Sequence, residues 1–216
     1  MSARQGLSRA RYEEAAEKTA TSKADGSIFV GPRRLRQAEL LARAASPHAL
    51  VDPNRPVLAS LLAGHLCGEG VLPTDLGLPA TELENLWNAY FPGPRPVPWP
   101  VPPNRTVDIP ERQDLVSLLL AHRAACFPSE TWLAFIVARA CAGNDHLWHD
   151  LGLANRGELS SLLYNAFPSL ARQNTEDMKW KKFIYRFYCA RDGIYVCPAP
   201  SCGECVDYAQ CFAPEI

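Results

Sequence analysis

The sequence predicts an all-α fold: two related helical hairpins, a C-terminal helix and a cysteine-rich tail. Three observations lead there. From Pro56 onward, apolar residues recur at the three-and-four spacing of a helix face. No segment shows the alternation of a half-buried strand. Two stretches also repeat one another at an offset of 75 residues, which becomes 76 partway through.

Residues 1–50 read as a loosely ordered N-terminal arm carrying nine Lys/Arg against five Asp/Glu. One helix is expected in it, from Arg34 to Ala45, with Leu35, Leu40 and Leu41 as anchors. The first repeat occupies residues 51–91. Leu58, Leu61, Leu62 and Leu66 mark one buried face, which Gly68 and Gly70 end. A second helix runs from Thr81 to Phe91 through Leu83, Leu86, Trp87 and Tyr90, with Thr81 and Glu84 spaced as a capping box.

Residues 92–110 form a proline-rich linker, whose stretch up to Asn104 has prolines at 92, 94, 96, 98, 100, 102 and 103. Proline removes a backbone donor and fixes φ, so an extended, semi-rigid connection is expected. Residues 111–190 hold the second repeat and a C-terminal helix. Leu115, Leu118, Leu119 and His122 share a face, and Ser129 is placed to cap a helix that runs to Gly143. Asn155 with Glu158 offers another capping box, ahead of Leu159, Leu162, Leu163 and Phe167. The last helix is expected from Thr175 to Ala190. Its apolar face is Trp180, Phe183, Ile184, Phe187 and Tyr188, and Lys179, Lys181, Lys182 and Arg186 form a basic side that is a candidate docking face.

The repeat separates structure from added function. Leu58-Ala59, Asp75-Leu-Gly-Leu78, Glu82-Leu83 and Phe91-Pro92 recur as Leu133-Ala134, Asp150-Leu-Gly-Leu153, Glu158-Leu159 and Phe167-Pro168. Residues common to both copies read as structural. His146 and His149 belong to the second copy alone, since the first has Val71-Leu-Pro-Thr74 at that place.

A net charge of -1 gives no general pull toward nucleic acid or an acidic membrane. No apolar run approaches the roughly 18–20 residues that span a bilayer. The polar first 25 residues do not resemble a secretory signal, so a reducing cytoplasmic setting is expected. There, clustered cysteines point to metal before disulfides. Four of the eight cysteines fall in the tail, residues 191–216, as Cys197-Pro-Ala-Pro-Ser-Cys202-Gly-Glu-Cys205-Val-Asp-Tyr-Ala-Gln-Cys211. This C-x4-C-x2-C-x5-C array is the candidate metal-binding set. Its first three members have the spacing of plant-type ferredoxins. Thiolates suit zinc and iron–sulfur clusters alike. Structural zinc usually separates two cysteine pairs by a longer loop, so the crowding here favours a cluster, with zinc as the alternative. Cys189 is a possible extra ligand, whereas Cys67, Cys126 and Cys141 sit in apolar helical contexts and read as packing residues. No nucleophile–base pair, phosphate loop or paired-carboxylate motif suggests an enzyme.

Taken together, these residues resemble one family. His146-Leu-Trp-His-Asp-Leu-Gly-Leu153, Arg156-Gly-Glu-Leu-Ser160, Asn174, Asp177-Met-Lys-Trp-Lys-Lys-Phe183 and the cysteine tail closing on Cys211-Phe-Ala-Pro-Glu215 are similar to NifQ, the nitrogen-fixation protein that supplies molybdenum for the iron–molybdenum cofactor of nitrogenase. Ala213 stands where the family is expected to have glycine. The resemblance implies a molybdenum–iron–sulfur cluster on Cys197, Cys202, Cys205 and Cys211. It also implies molybdenum delivery to the NifEN scaffold acting with the iron protein NifH. Molybdenum tolerates harder donors than iron, so a ligand from outside the cysteines is expected. His146 is the first candidate, with Glu204 and Asp207 behind it. A zinc-stabilised helical interaction module and an iron–sulfur electron carrier are the alternative functions.

Overall fold

The computed structural model describes residues 31–79, 81–96, 108–191 and 212. They form helices and connecting turns, with no strand among them. The elements are α1 (Pro32–Leu41), α2 (Pro47–Val51), α3 (Arg55–Leu66), α4 (Glu82–Tyr90), α5 (Arg112–Ala121), α6 (Ser129–Ala140), α7 (Leu147–Asp150), α8 (Arg156–Ala166), α9 (Pro168–Ala171) and α10 (Trp180–Arg191). The all-α expectation holds across these residues. No helix among them is long and apolar enough to cross a membrane.

The first helix of each copy is the most deeply placed. Arg55 and residues 57–65 of α3 are buried, and α6 buries Ser129, Glu130, Trp132, Leu133, Ala134 and Ile136 through Ala138. A helix covered on nearly every side needs neighbours all round. Here α3 packs on α1 and α8, while α6 packs on α4, α5, α7 and α8. The contacts therefore run between the copies as well as within the second. Tyr90 and Trp132 meet edge to face at 5.4 Å across that junction. Both copies end alike: Phe91 and Phe167 are fully buried, with φ/ψ of -141°/50° and -131°/55°.

Glycine allows one close approach in particular. A Cβ on Gly64 of α3 would overlap the Gly152 carbonyl oxygen. Gly152 itself has φ 70°, in the left-handed region. This is where the helix of one copy presses on the Asp-Leu-Gly-Leu turn of the other.

Several expected ends move for local reasons. The first helix lies at Pro32–Leu41, not Arg34–Ala45, with proline at its start. It is packed: Leu40 is buried, and the Arg55 guanidinium donates to the carbonyls of Leu41, Arg43 and Tyr90, so one cation serves two helix C-termini. Thr81 makes no side-chain cap because its own backbone is already helical, at φ -80° and ψ -22°. Asn155 does cap α8, accepting from the Glu158 N–H at 3.0 Å, and the Glu158 carboxylate reaches back to the Ala154 N–H at 2.9 Å. Ser129 is not a cap but the first residue of α6, where its hydroxyl accepts from Asn54 Nδ2 at 3.1 Å. The turn before α6 is held instead by Glu130, whose carboxylate accepts from the N–H groups of Ala125, Cys126 and Phe127. The last helix starts at Trp180, not Thr175. Asn174 exchanges two 2.8 Å hydrogen bonds with Met178, and Asp177 sits at φ 55°, which closes a turn where helix was expected.

Of the proline-rich linker, residues 97–107 lie outside the described residues, as does the N-terminal arm before residue 31.

Candidate metal centre

The four motif cysteines Cys197, Cys202, Cys205 and Cys211 lie outside the described residues, and so do Glu204 and Asp207. Two flanking points are described. Helix α10 runs to Arg191, six residues before Cys197. Phe212, next in sequence to Cys211, is half-buried and packs against the hydrophobic core.

Of the candidate ligands, the structure places His146. It is the half-buried N-cap residue of α7, with φ -58° and ψ 142°. Its N–H donates to Asp145 Oδ1 at 2.7 Å, and its carbonyl accepts from the Asp150 N–H at 2.9 Å. His149, one turn on, is more exposed and has Nδ1 3.3 Å from Asp145 Oδ2. Trp148 stands edge-on to His149 at 5.6 Å. Trp148 and His149 line a cleft of about 280 Å³ with Arg33, Glu69 and Leu153. Among the described residues no group of three or more His, Cys, Asp or Glu side chains is arranged to hold a metal ion.

The loop that presents His146 is anchored by charge. Asp150 is fully buried and forms an ion pair with Lys181, the second residue of α10. Lys181 Nζ also donates to the carbonyl oxygens of Gly143 at 3.0 Å and Asp145 at 2.6 Å. This corrects the expected basic docking face. Lys181 is turned inward and committed to the protein's own loop, while Lys182 and Arg186 are exposed.

The repeat shows how the second copy departs from the first. Asp75 and Asp150 hold the same place in Asp-Leu-Gly-Leu, and the leucines of both copies are buried. Asp75 is exposed and accepts from its own Gly77 N–H at 2.7 Å. Asp150 is turned into the core and onto α10. The basic residue that meets it lies 31 positions away, so spacing gave no hint of it. The difference between the two histidine-position segments was the available signal.

The remaining cysteines differ in part from expectation. Cys141 is buried as expected, and burial pushes its thiol up to about 12, with Asp150 adding to the rise and Lys181 opposing it. Cys67 and Cys126 are exposed instead, because each lies just beyond a helix or in a turn, not on a buried face. Cys189 is buried near the end of α10.

The NifQ family profile matches residues 57–213, a span that includes His146 and all four motif cysteines. The chain is 50% identical over 106 residues to Protein NifQ of Azotobacter vinelandii, which is 49% of this chain and 54% of that protein. It thus spans about half the length of that relative. It is 40% identical over 167 residues to a NifQ homolog of Sinorhizobium fredii, covering 75% of this chain and 73% of the relative. Against Protein NifQ of Rhodobacter capsulatus it is 36% identical over 159 residues, 74% of this chain and 87% of the relative. No solved structure matches the chain. With a profile match over most of its length and relatives of this identity, the chain belongs to the NifQ family.

Proposed function

We propose that this chain carries a molybdenum–iron–sulfur cluster as cargo and donates its molybdenum for biosynthesis of the nitrogenase iron–molybdenum cofactor. The observation that carries the reading is the family match itself, which spans the whole cysteine array. The donor chemistry supports it. Cys197, Cys202, Cys205 and Cys211 offer four soft thiolates within 15 residues, suited to iron in a cluster. A half-buried imidazole at His146 is a harder donor, suited to molybdenum. In this reading the thiolates hold iron, His146 adds the ligand on molybdenum, and the chain acts as a carrier in the cytoplasm, not as a turnover enzyme. The receiving partners are the NifEN scaffold with NifH.

The test is metal analysis of protein purified without oxygen from cells grown with molybdate. A variant with Cys197, Cys202, Cys205 and Cys211 all changed to alanine is the control. Iron plus molybdenum in the parent, lost in the variant, is the expected result. Zinc alone would overturn the carrier function and leave a zinc-stabilised module. Iron without molybdenum, retained in the presence of NifEN and NifH, would make the chain an electron carrier.

A further inference from the structure

An ammonium group has three protons to donate, and the three acceptors of Lys181 all belong to one loop. They are the carbonyl oxygens of Gly143 and Asp145 and the carboxylate of Asp150. The Asp145 carbonyl is half of the peptide group whose other half is the His146 N–H. Asp150 works from the opposite side. Its Oδ2 accepts from the Asp145 N–H at 3.2 Å, and its own N–H donates to the His146 carbonyl at 2.9 Å. Asp145 Oδ1 takes the His146 N–H. Each backbone polar group of Asp145 and His146 therefore has a partner, and three of the four partners belong to the Lys181–Asp150 pair.

The site is also shaped to take that pair. A Cβ on Gly143 would collide with the Asp150 carboxylate, so the loop passes the ion pair only as glycine. Asp150 Oδ1 is buried with no hydrogen-bond partner. A buried ion pair with one oxygen unsatisfied is a poor source of net stability, and apolar residues of similar size often serve a core as well. What the pair does supply is a fixed geometry. The corresponding Asp75 of the first copy, beside a segment with no histidine, is exposed and bonds only its own turn among the hydrogen bonds described. Lys181 also stands on α10, the helix that leads toward Cys197.

We propose that Lys181 is a positioning residue for His146: through its ion pair with Asp150 it fixes the His146 backbone on the helix that leads into the cysteine segment. This rests on the reading that His146 ligates molybdenum. Loss of the pair frees the loop and weakens molybdenum retention, while iron, held by thiolates, stays.

The experiment uses the full chain, expressed with molybdate and purified without oxygen, in three forms: parent, His146→Ala, and Lys181→Met combined with Asp150→Leu. The paired apolar change leaves no charge stranded in the core. The neutral pair Lys181→Gln with Asp150→Asn is the second variant, in case the apolar pair does not fold. Circular dichroism checks the helices, metal analysis gives molybdenum and iron per chain, and molybdenum K-edge absorption reports nitrogen scattering. The expected result is iron within twofold of the parent in every variant. Molybdenum per iron should fall at least fivefold in His146→Ala and in the apolar pair, with the same loss of nitrogen scattering, and less steeply in the neutral pair. Parental molybdenum in the folded pair variants, with loss in His146→Ala, overturns the positioning role and leaves the ligand reading standing. Parental molybdenum in His146→Ala overturns the ligand reading and the positioning role together. Equal loss of iron and molybdenum in the pair variants also overturns the proposal, because it marks a general structural part.

Discussion

Glu82 and Glu158 occupy equivalent places in the two repeats, and each accepts a hydrogen bond from the first helix of the opposite copy. Trp132 Nε1 of α6 donates to Glu82 at 2.6 Å, and Ser60 Oγ of α3 donates to Glu158 at 2.6 Å. The donors differ in chemistry and do not occupy matching positions, yet the acceptors do. One carboxylate per copy thus links the second helix of that copy to the first helix of the other. This reciprocal polar link accompanies the apolar contact between the copies at Tyr90 and Trp132.

The two links should not be equal in strength. Glu158 also accepts from the Ala154 N–H and faces Arg33 at 3.8 Å, whereas among the described residues Glu82 adds a 3.1 Å bond from Asn85 on its own helix. Glu158→Ala leaves the fully buried Ser60 hydroxyl and a backbone N–H without their acceptor, at a cost of about 2–3 kcal/mol. Glu82→Ala removes the partner of one indole N–H, at about 1–2 kcal/mol. Urea denaturation of the two variants measures the order, and an equal or reversed cost would show that the extra partners of Glu158 contribute nothing.

Glu130 carries a larger local load. Its buried carboxylate gathers three consecutive backbone N–H groups, those of Ala125, Cys126 and Phe127, at 2.5, 2.9 and 2.9 Å. Hydrogen bonds to a charged acceptor contribute about 1.5–3 kcal/mol each, discounted here because Cys126 is exposed and water can replace part of the set. Glu130→Ala is expected to cost about 3–4 kcal/mol in chemical denaturation, and Glu130→Gln roughly half of that, since an amide oxygen still accepts. A loss below about 1 kcal/mol for the alanine variant would mean that solvent satisfies the turn unaided.

How far these features can be read from sequence depends on how local they are. The buried faces of Leu58, Leu61 and Leu62 and of Leu159, Leu162 and Leu163 follow from periodicity, and all six are buried as their spacing requires. The Asn155–Glu158 cap is local and forms. Ser129 fails as a cap because its partner, Asn54, comes from 75 residues away. The inward turn of Lys181, from the basic side that is a candidate docking face, escapes helix periodicity for the same reason: its acceptors lie 31 to 38 residues earlier in the chain. Within the candidate centre, the family motif marks the cysteines and His146. The ion pair that anchors the His146 loop is a tertiary event, and only the contrast between two Asp-Leu-Gly-Leu copies hinted at it.

His65 predicts a pH dependence. It is buried in α3, and burial lowers its pKa from 6.5 to about 4. The folded state therefore favours the neutral ring, and between pH 6.5 and about 4 the unfolded chain binds more protons than the folded one. Stability from this site is complete above that window and is lost as pH falls through it, by about 3 kcal/mol in all. Thermal unfolding of the parent and of His65→Leu at a series of pH values tests it. The difference between the two curves should slope across the window and flatten above pH 6.5. A parallel pair of curves would show that His65 takes up its proton without unfolding.

Removal of metal should leave the helical body standing. The described core, from Leu40 on α1 to Ile184 on α10, is closed by aliphatic and aromatic side chains contributed by the helices and the turns between them. The tail's described contribution is Phe212, half-buried against that core, whose loss costs about 1 kcal/mol by the area it covers. A small metallo-domain without a core of its own unfolds when stripped, and this chain is built differently. Treatment with an iron chelator, or replacement of Cys197, Cys202, Cys205 and Cys211 by alanine, is therefore expected to keep the far-ultraviolet helix signal and one cooperative melting transition. A shift of about 5 °C or less is allowed by the Phe212 contact. If helix content instead disappeared with the metal, the cysteine segment would be the staple of the fold, and a carrier that must release its cargo and survive would no longer describe the chain.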